Sequence, residues 1–118
     1  IIGVVEGDTH DIGKNLVKTM METAGFDVID LGRDVPVDEF IAKAKEIGTG
    51  IVCMSTLMTT TMANMQKVIE RLKAEGIRDH FKVMVGGGPI SQFFADKIGA
   101  DAYTTNAAEA AKRAQELA

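Results

Sequence analysis

Short apolar runs alternate with amphipathic stretches of helical period from one end of this chain to the other. The apolar runs are Ile1–Val5, Asp27–Leu31, Gly50–Met54, Phe81–Val85 and Asp101–Thr104. Several are continuously apolar, the pattern of strands buried on both faces of a parallel sheet. Between them lie helical stretches at Gly13–Ala24, Val37–Ile47, Thr61–Glu75, Ser91–Ile98 and Ala107–Leu117. In the third stretch Met62, Met65, Val68, Ile69 and Leu72 share one face, and Gly76 supplies a stop. Pro36 suits the start of the second helix, and Gly25 and Gly48 suit helix ends. Asn106 and Glu109 stand at capping-box spacing before the last helix, with asparagine in place of the usual Ser or Thr.

Five strand–helix units in this order predict an α/β fold. The expected form is a flavodoxin-like (Rossmann-like), five-stranded parallel sheet of order 2-1-3-4-5, with helices on both faces. Such sheets bind ligands at the carboxyl ends of their strands, near the switch point between strands 1 and 3. The segments to inspect are therefore 6–12, 55–60, 86–90 and 105–106.

Composition narrows the class. The 118 residues fit one domain, and 46% hydrophobic content can fill one modest core. With 13 basic residues and a net charge of −4, no cluster exceeds Lys112-Arg113, which argues against nucleic-acid binding. The single cysteine, Cys53, allows no internal disulfide and fits a reducing, cytoplasmic setting. No signal-peptide pattern or membrane-length apolar run is present. The chain opens at Ile1, inside an expected strand and without methionine, so a longer parent protein is expected.

The chemistry concentrates after the first strand, in Asp8-Thr9-His10-Asp11-Ile12-Gly13. An imidazole where a buried strand ends is well placed for metal binding or acid–base work. An acid two residues earlier can accept a bond from one ring nitrogen and make the other a better donor to metal. Cys53 lies inside a strand and no second histidine is near in sequence, so a tetrahedral zinc site is not expected. One histidine suffices if a macrocycle brings the remaining ligands. The loop after strand 3, Ser55-Thr56-Leu57-Met58-Thr59-Thr60-Thr61, is dense in hydroxyls. The run Gly86-Gly87-Gly88-Pro89 fits either a close ligand approach or a plain strand-to-helix turn. Neither a dinucleotide fingerprint nor a Walker-type phosphate loop is present.

These fragments together resemble a known family. Asp8-x-His10-x-x-Gly13, Ser55-x-Leu57 and Gly86-Gly87 look like the three-part signature of cobalamin-binding domains. The intervals agree: 41 residues separate Gly13 from Ser55, and 28 separate Leu57 from Gly86. The segments Glu6–Asn15 and Met54–Met62 are most similar to the corrinoid proteins of methylamine and methanol methyltransferase systems, and to the cobalamin domain of methionine synthase. The resemblance covers the whole chain and implies the same flavodoxin-like sheet. It implies cobalamin bound base-off, with His10 as the cobalt's axial ligand and Asp8 holding its other nitrogen. Thr9, Asp11, Ile12 and Gly13 complete that motif. Ser55, Leu57 and Thr59 would line the pocket for the nucleotide tail, Thr61 would extend the Asp–His relay, and Gly86 and Gly87 would let the tail pass close to backbone.

The function so implied is that of a methyl carrier, non-catalytic itself, cycling between methylcobalamin and cob(I)alamin. Its partners would be a substrate-specific methyltransferase, a second methyltransferase accepting the methyl group and a reductive activase, with no nucleic acid or membrane. An N-terminal helical cap domain would precede residue 1. The alternatives are the cobalamin-binding part of an adenosylcobalamin-dependent mutase, that of a cobalamin-dependent sensor, and a receiver domain without corrinoid. Other residues read more simply. Cys53 suits a small core hydrophobe, most of the seven methionines suit the core, and Met58 and Met62 flank the expected cofactor loop. Asp11 suits a helix cap, His80 a structural or solvated role, and Lys14 and Asn15 solvated helix positions.

Overall fold

The computed structural model describes residues 2–4, 12–56, 58–87 and 90–117. Its elements are β1 (Ile2–Val4), α1 (Ile12–Thr23), α2 (Val37–Ile47), β2 (Gly50–Ser55), α3 (Met62–Ala74), β3 (Phe81–Gly86), α4 (Gln92–Ile98), β4 (Ala102–Thr104) and α5 (Ala107–Leu117). Short 3-10 turns at Thr59–Thr61 and Arg78–His80 lead into α3 and β3. The strands form one parallel sheet in the order β1-β2-β3-β4.

Among the described residues that sheet has four strands, where five were expected. Among the described residues, 27–31 flank β1 through a single parallel bridge, Ile2 to Asp30. Two backbone bonds make it: Ile2 N–H donates to Ile29 O at 2.9 Å, and Leu31 N–H to Ile2 O at 2.8 Å. The Asp30 carboxylate accepts the Gly32 N–H at 2.8 Å, an Asx-type bond that turns the chain and ends its extended course. Strand 2 thus keeps its place beside β1 but not a ladder.

Strand alternation explains the two cores. Val52 and Met54 of β2, with Phe81, Val83 and Val85 of β3, pack against Phe40, Ile41 and Ala44 of α2, Met65, Val68, Ile69 and Leu72 of α3, and Ala95 and Ile98 of α4. The intervening positions Cys53 and Met84, with Ile2 and Ala102, face α1 through Met21 and α5 through Ala110, Ala111 and Ala114. A strand residue points to one face and its neighbour to the other, so helices must cover both. Small alanines on α5 let that helix lie close to the sheet.

The punctuation mostly follows the residues. Gly48 caps α2 at φ 88°, its N–H donating to Ala44 O. Ser91 Oγ accepts the Phe94 N–H ahead of α4. Asn106 Oδ1 accepts the Glu109 N–H at 2.8 Å, whereas Glu109 turns to the Thr105 hydroxyl rather than closing a capping box. β4 begins one residue later than expected because the Asp101 carboxylate takes the Val83 N–H at 2.7 Å and the Arg78 guanidinium at 2.9 Å.

Phe40 is fully buried where α2 crosses β1; a Cβ added at Gly3 would lie 3.0 Å from its ring. We predict that Phe40→Ala costs about 3–5 kcal/mol in urea unfolding. Phe93→Ala, at a side chain 79% exposed on α4, should change stability by less than about 0.5 kcal/mol.

Candidate functional site

The carboxyl ends of the four strands finish at one level. The register pairs Val4 with Ser55, Ser55 with Gly86, and Gly86 with Thr104. One rung of the sheet therefore carries Ser55, Gly86 and Thr104, all three on the face covered by α1 and α5. The rung directly below is apolar: Ile2, Cys53, Met84 and Ala102. Above this apolar floor lies a cavity of about 460 Å³. Lys14 and Val17 of α1, Ala107 and Ala110 of α5, and the Ser55–Gly86–Thr104 rung bound it.

Two features of the rung suit a ligand. Ser55 Oγ is buried and has no hydrogen-bond partner among the described residues. A buried hydroxyl without a partner forgoes its bond to water, a cost of roughly 1–3 kcal/mol, so its presence asks for an explanation. Beside it, a Cβ at Gly86 would meet only the Thr104 carbonyl at 3.3 Å and the Thr104 Oγ1 at 3.9 Å. Glycine leaves a slot there that a side chain would fill. Gly87 does something different. At φ +127°, its added Cβ would lie 1.8 Å from the Thr56 carbonyl oxygen. That glycine lets the loops after β2 and β3 pack on each other, with Thr56 N–H donating to Gly86 O at 3.3 Å.

The loop after β2 is shaped by two buried hydroxyls. Thr56 and Thr61 sit 2.6 Å apart, Oγ1 to Oγ1. Thr61 donates to Met58 O at 3.1 Å, and the Met58 N–H donates back to Thr56 Oγ1 at 3.2 Å. The expected relay hydroxyl of Thr61 is thus engaged in holding the loop. Thr56, which the sequence offered only as one of many hydroxyls, is buried at its centre. Thr59 lies exposed at the start of the 3-10 turn, and Met58 is exposed beside it.

Lys14 corrects another expectation. It is buried, 3% exposed, and is the one charged side chain so buried among the described residues. Its Nζ donates to both Asp30 oxygens, at 2.8 and 2.7 Å, and Lys18 Nζ stands 3.5 Å from the same carboxylate. Burial would raise the Asp30 carboxyl. The bonds from Lys14 and Gly32, with the charges of Lys14 and Lys18, outweigh it and hold the group below its ordinary value. A depressed carboxylate contributes stability above its unfolded pKa that is lost as pH falls through the folded one, so this tie loosens only in acid. Asn15 is exposed, as expected.

Asp8, Thr9, His10, Asp11 and Leu57 lie outside the described residues, and Ile12 and Gly13 enter here only as the opening of α1. Cys53 is buried on the cavity floor, where burial pushes its thiol up to about 11 and keeps it protonated at neutral pH. His80 is exposed in its turn. A larger hollow of about 580 Å³ opens at the amino ends of the strands, among Phe26, Val28, Ile51 and Leu117. Only Cys53 and Ile2 of the cavity floor reach it, and none of Ser55, Gly86 and Gly87 does. The described residues contain no cluster of three metal-ligating side chains.

The family description "B12 binding domain" matches residues 1–114. This chain belongs to the B12-binding domain family. The cofactor that defines the family is cobalamin, and the orphaned Ser55 hydroxyl and the Gly86 slot suit an elongated polar group such as its nucleotide tail. Dimethylamine corrinoid protein 3 of Methanosarcina mazei is 57% identical over 115 residues, covering 98% of this chain and 69% of that protein. The chain spans about half the length of several other dimethylamine corrinoid proteins it matches. The monomethylamine corrinoid protein of Methanosarcina barkeri has the same fold with a TM-score of 0.96 and 43% identity. That match covers 99% of this chain and 57% of the other. The methanol:cobalamin methyltransferase complex MtaBC of the same organism matches with a TM-score of 0.91 and 37% identity, over 98% of this chain and 45% of its own.

Two substitutions separate ligand groups from packing groups in this B12-binding fold. Ser55→Ala removes an unsatisfied buried oxygen, so the ligand-free protein should be unchanged or more stable by about 1 kcal/mol. Gly87→Ala combines backbone strain with a clash and should cost about 2–6 kcal/mol. Urea unfolding of both proteins without cofactor checks the opposite signs.

Proposed function

We propose that this protein binds cobalamin base-off and histidine-on, and carries a methyl group between two methyltransferases. The observation that carries the reading is the rung at the sheet's carboxyl edge, where a partnerless buried hydroxyl, a side-chain-free slot and a cavity of about 460 Å³ coincide. A group that is elongated, partly apolar and rich in hydrogen-bonding atoms fits such a place, and the displaced nucleotide tail is one.

In this reading Ser55 donates its free hydroxyl to the tail, and Gly86 leaves the tail room beside the backbone. Val17, Met84 and Ala110 supply the apolar wall. His10 is the axial ligand to cobalt, and Asp8 fixes its tautomer and orientation. Thr9, Asp11, Ile12 and Gly13 carry that ligand into α1. Leu57 and Thr59 are assigned to the tail as well, from the loop that Thr56 and Thr61 brace. Bound cobalamin supplies a cobalt centre that accepts a methyl group and gives it up. The chain's own residues bind the cofactor, exclude water from its tail and hold one imidazole against the metal.

The partners follow from the chemistry of carriage. One methyltransferase loads the methyl group from its substrate, a second removes it, and a reductive activase restores cobalt that has been oxidised. Methylamines are the substrate class favoured, by the likeness to the dimethylamine and monomethylamine corrinoid proteins.

The test is spectroscopic. Hydroxocobalamin mixed with the full-length protein should give a base-off, histidine-ligated absorption spectrum, and His10→Ala should lose histidine ligation while retaining bound corrinoid. An unchanged spectrum in the variant removes His10 as the ligand. Ser55→Ala should weaken cobalamin binding roughly tenfold, about 1.4 kcal/mol. It should leave cobinamide, which lacks the nucleotide tail, unaffected.

A further inference from the structure

Lys14–Asp30 holds the most deeply buried charge of the ion pairs among the described residues. Lys43–Glu46, Lys45–Glu75, Arg71–Asp38 and Arg113–Glu116 join half-exposed or exposed side chains and Arg78–Asp101 joins partly buried ones, whereas Lys14 is 3% exposed. Burying an ammonium is costly, and an apolar side chain of similar volume often serves stability equally well. Stability alone therefore does not account for a lysine at this position.

Its location does. Lys14 is in the first turn of α1, directly after the segment that carries His10. Asp30 is the residue whose bridge to Ile2 ties the flanking segment to β1. The ammonium meets both carboxylate oxygens, and the same side chain lines the cavity with Ser55 and Gly86. A single two-pronged contact thus joins the edge of the sheet, the start of α1 and the wall of the cavity.

We propose that Lys14 is a positioning residue for the corrinoid. Anchored on Asp30, it sets the first turn of α1 so that the cavity wall and the imidazole four residues upstream address the same bound molecule. The inference rests on the corrinoid reading above. Lys14 acts through the helix it holds and touches no reacting atom. Asp30 keeps the Gly32 N–H and Lys18 when Lys14 is replaced, so the substitution is not expected to unfold the protein.

The experiment compares Lys14→Met and Lys14→Arg in the full-length protein, by two readouts. Without cofactor, amide exchange reports residues 16–19 of α1 against residues 66–72 of α3. With cobalamin, the dissociation constant and the histidine-ligated fraction of the spectrum are measured. Lys14→Met should speed exchange in α1 roughly tenfold and leave α3 unchanged, and it should weaken cobalamin binding about 10–100-fold with loss of histidine ligation. Lys14→Arg, which keeps the charge and two-pronged geometry, should restore both. Unchanged α1 exchange in Lys14→Met overturns the proposal, as does equal acceleration in α1 and α3, which would mark Lys14 as a stability element only. Should the wild-type protein fail to bind cobalamin, the corrinoid reading falls, and with it Lys14's role toward that ligand. The exchange readout then still decides whether Lys14 sets the first turn of α1. If Lys14→Met does not fold, Asp30→Asn replaces it and should give the same pattern about threefold; no α1-specific change in that variant overturns the proposal.

Discussion

Parallel strands running side by side in one register have only one place to put chemistry. Their faces are sealed by helices, their amino ends receive returning chain, and their carboxyl ends open together. Here the register brings Val4, Ser55, Gly86 and Thr104 to a common rung. A shift of one residue in any strand would send its side chain to the opposite face. Cys53 and Met84 would then lose α1 and α5, and Ser55 would leave the cavity for the core around α3. The apolar rung below and the polar rung above are two consequences of one alignment.

The two adjacent glycines show how far identical residues can differ in role. Gly86 is in the strand, and its missing side chain leaves a slot on the cavity face. Gly87 is just beyond it, with positive φ, and its missing side chain admits the Thr56 carbonyl. The first leaves open space on the cavity face. The second makes room for the chain itself, and through Thr56 reaches the hydroxyl pair that shapes the next loop. A ligand slot cut into a sheet edge needs such a brace, because the loops bordering it have no ladder bonds of their own.

Much of this was legible from residue order. Helix positions came within a residue or two because Met65, Val68, Ile69 and Leu72 repeat at helical spacing and Gly48 and Gly76 mark ends. The grouping of Ser55 with Gly86 followed from parallel topology alone. Three features were not legible, each because a distant partner decides it. Residues 27–31 have strand-like composition, yet the Asp30 carboxylate turns back to Gly32 and only one bridge survives. Lys14 reads as a surface residue until Asp30, sixteen positions away, is beside it. Thr56 cannot be singled out from its neighbouring hydroxyls until Thr61 folds back over it. Periodicity reports which face a residue takes; it carries no information on which polar group waits there.

The polar groups at the site divide by whether the protein satisfies them itself. Thr56, Thr61, Lys14 and Asp30 all have partners within the chain, and each holds an element in place. Ser55 Oγ has none. A hydroxyl aligned in advance and free of internal partners loses nothing when a ligand atom arrives, whereas one already bonded must first break its bond. The satisfied groups tie together the elements that surround Ser55. The unsatisfied oxygen carries a modest cost in the ligand-free protein, and a ligand atom that bonded to it would recover that cost as affinity.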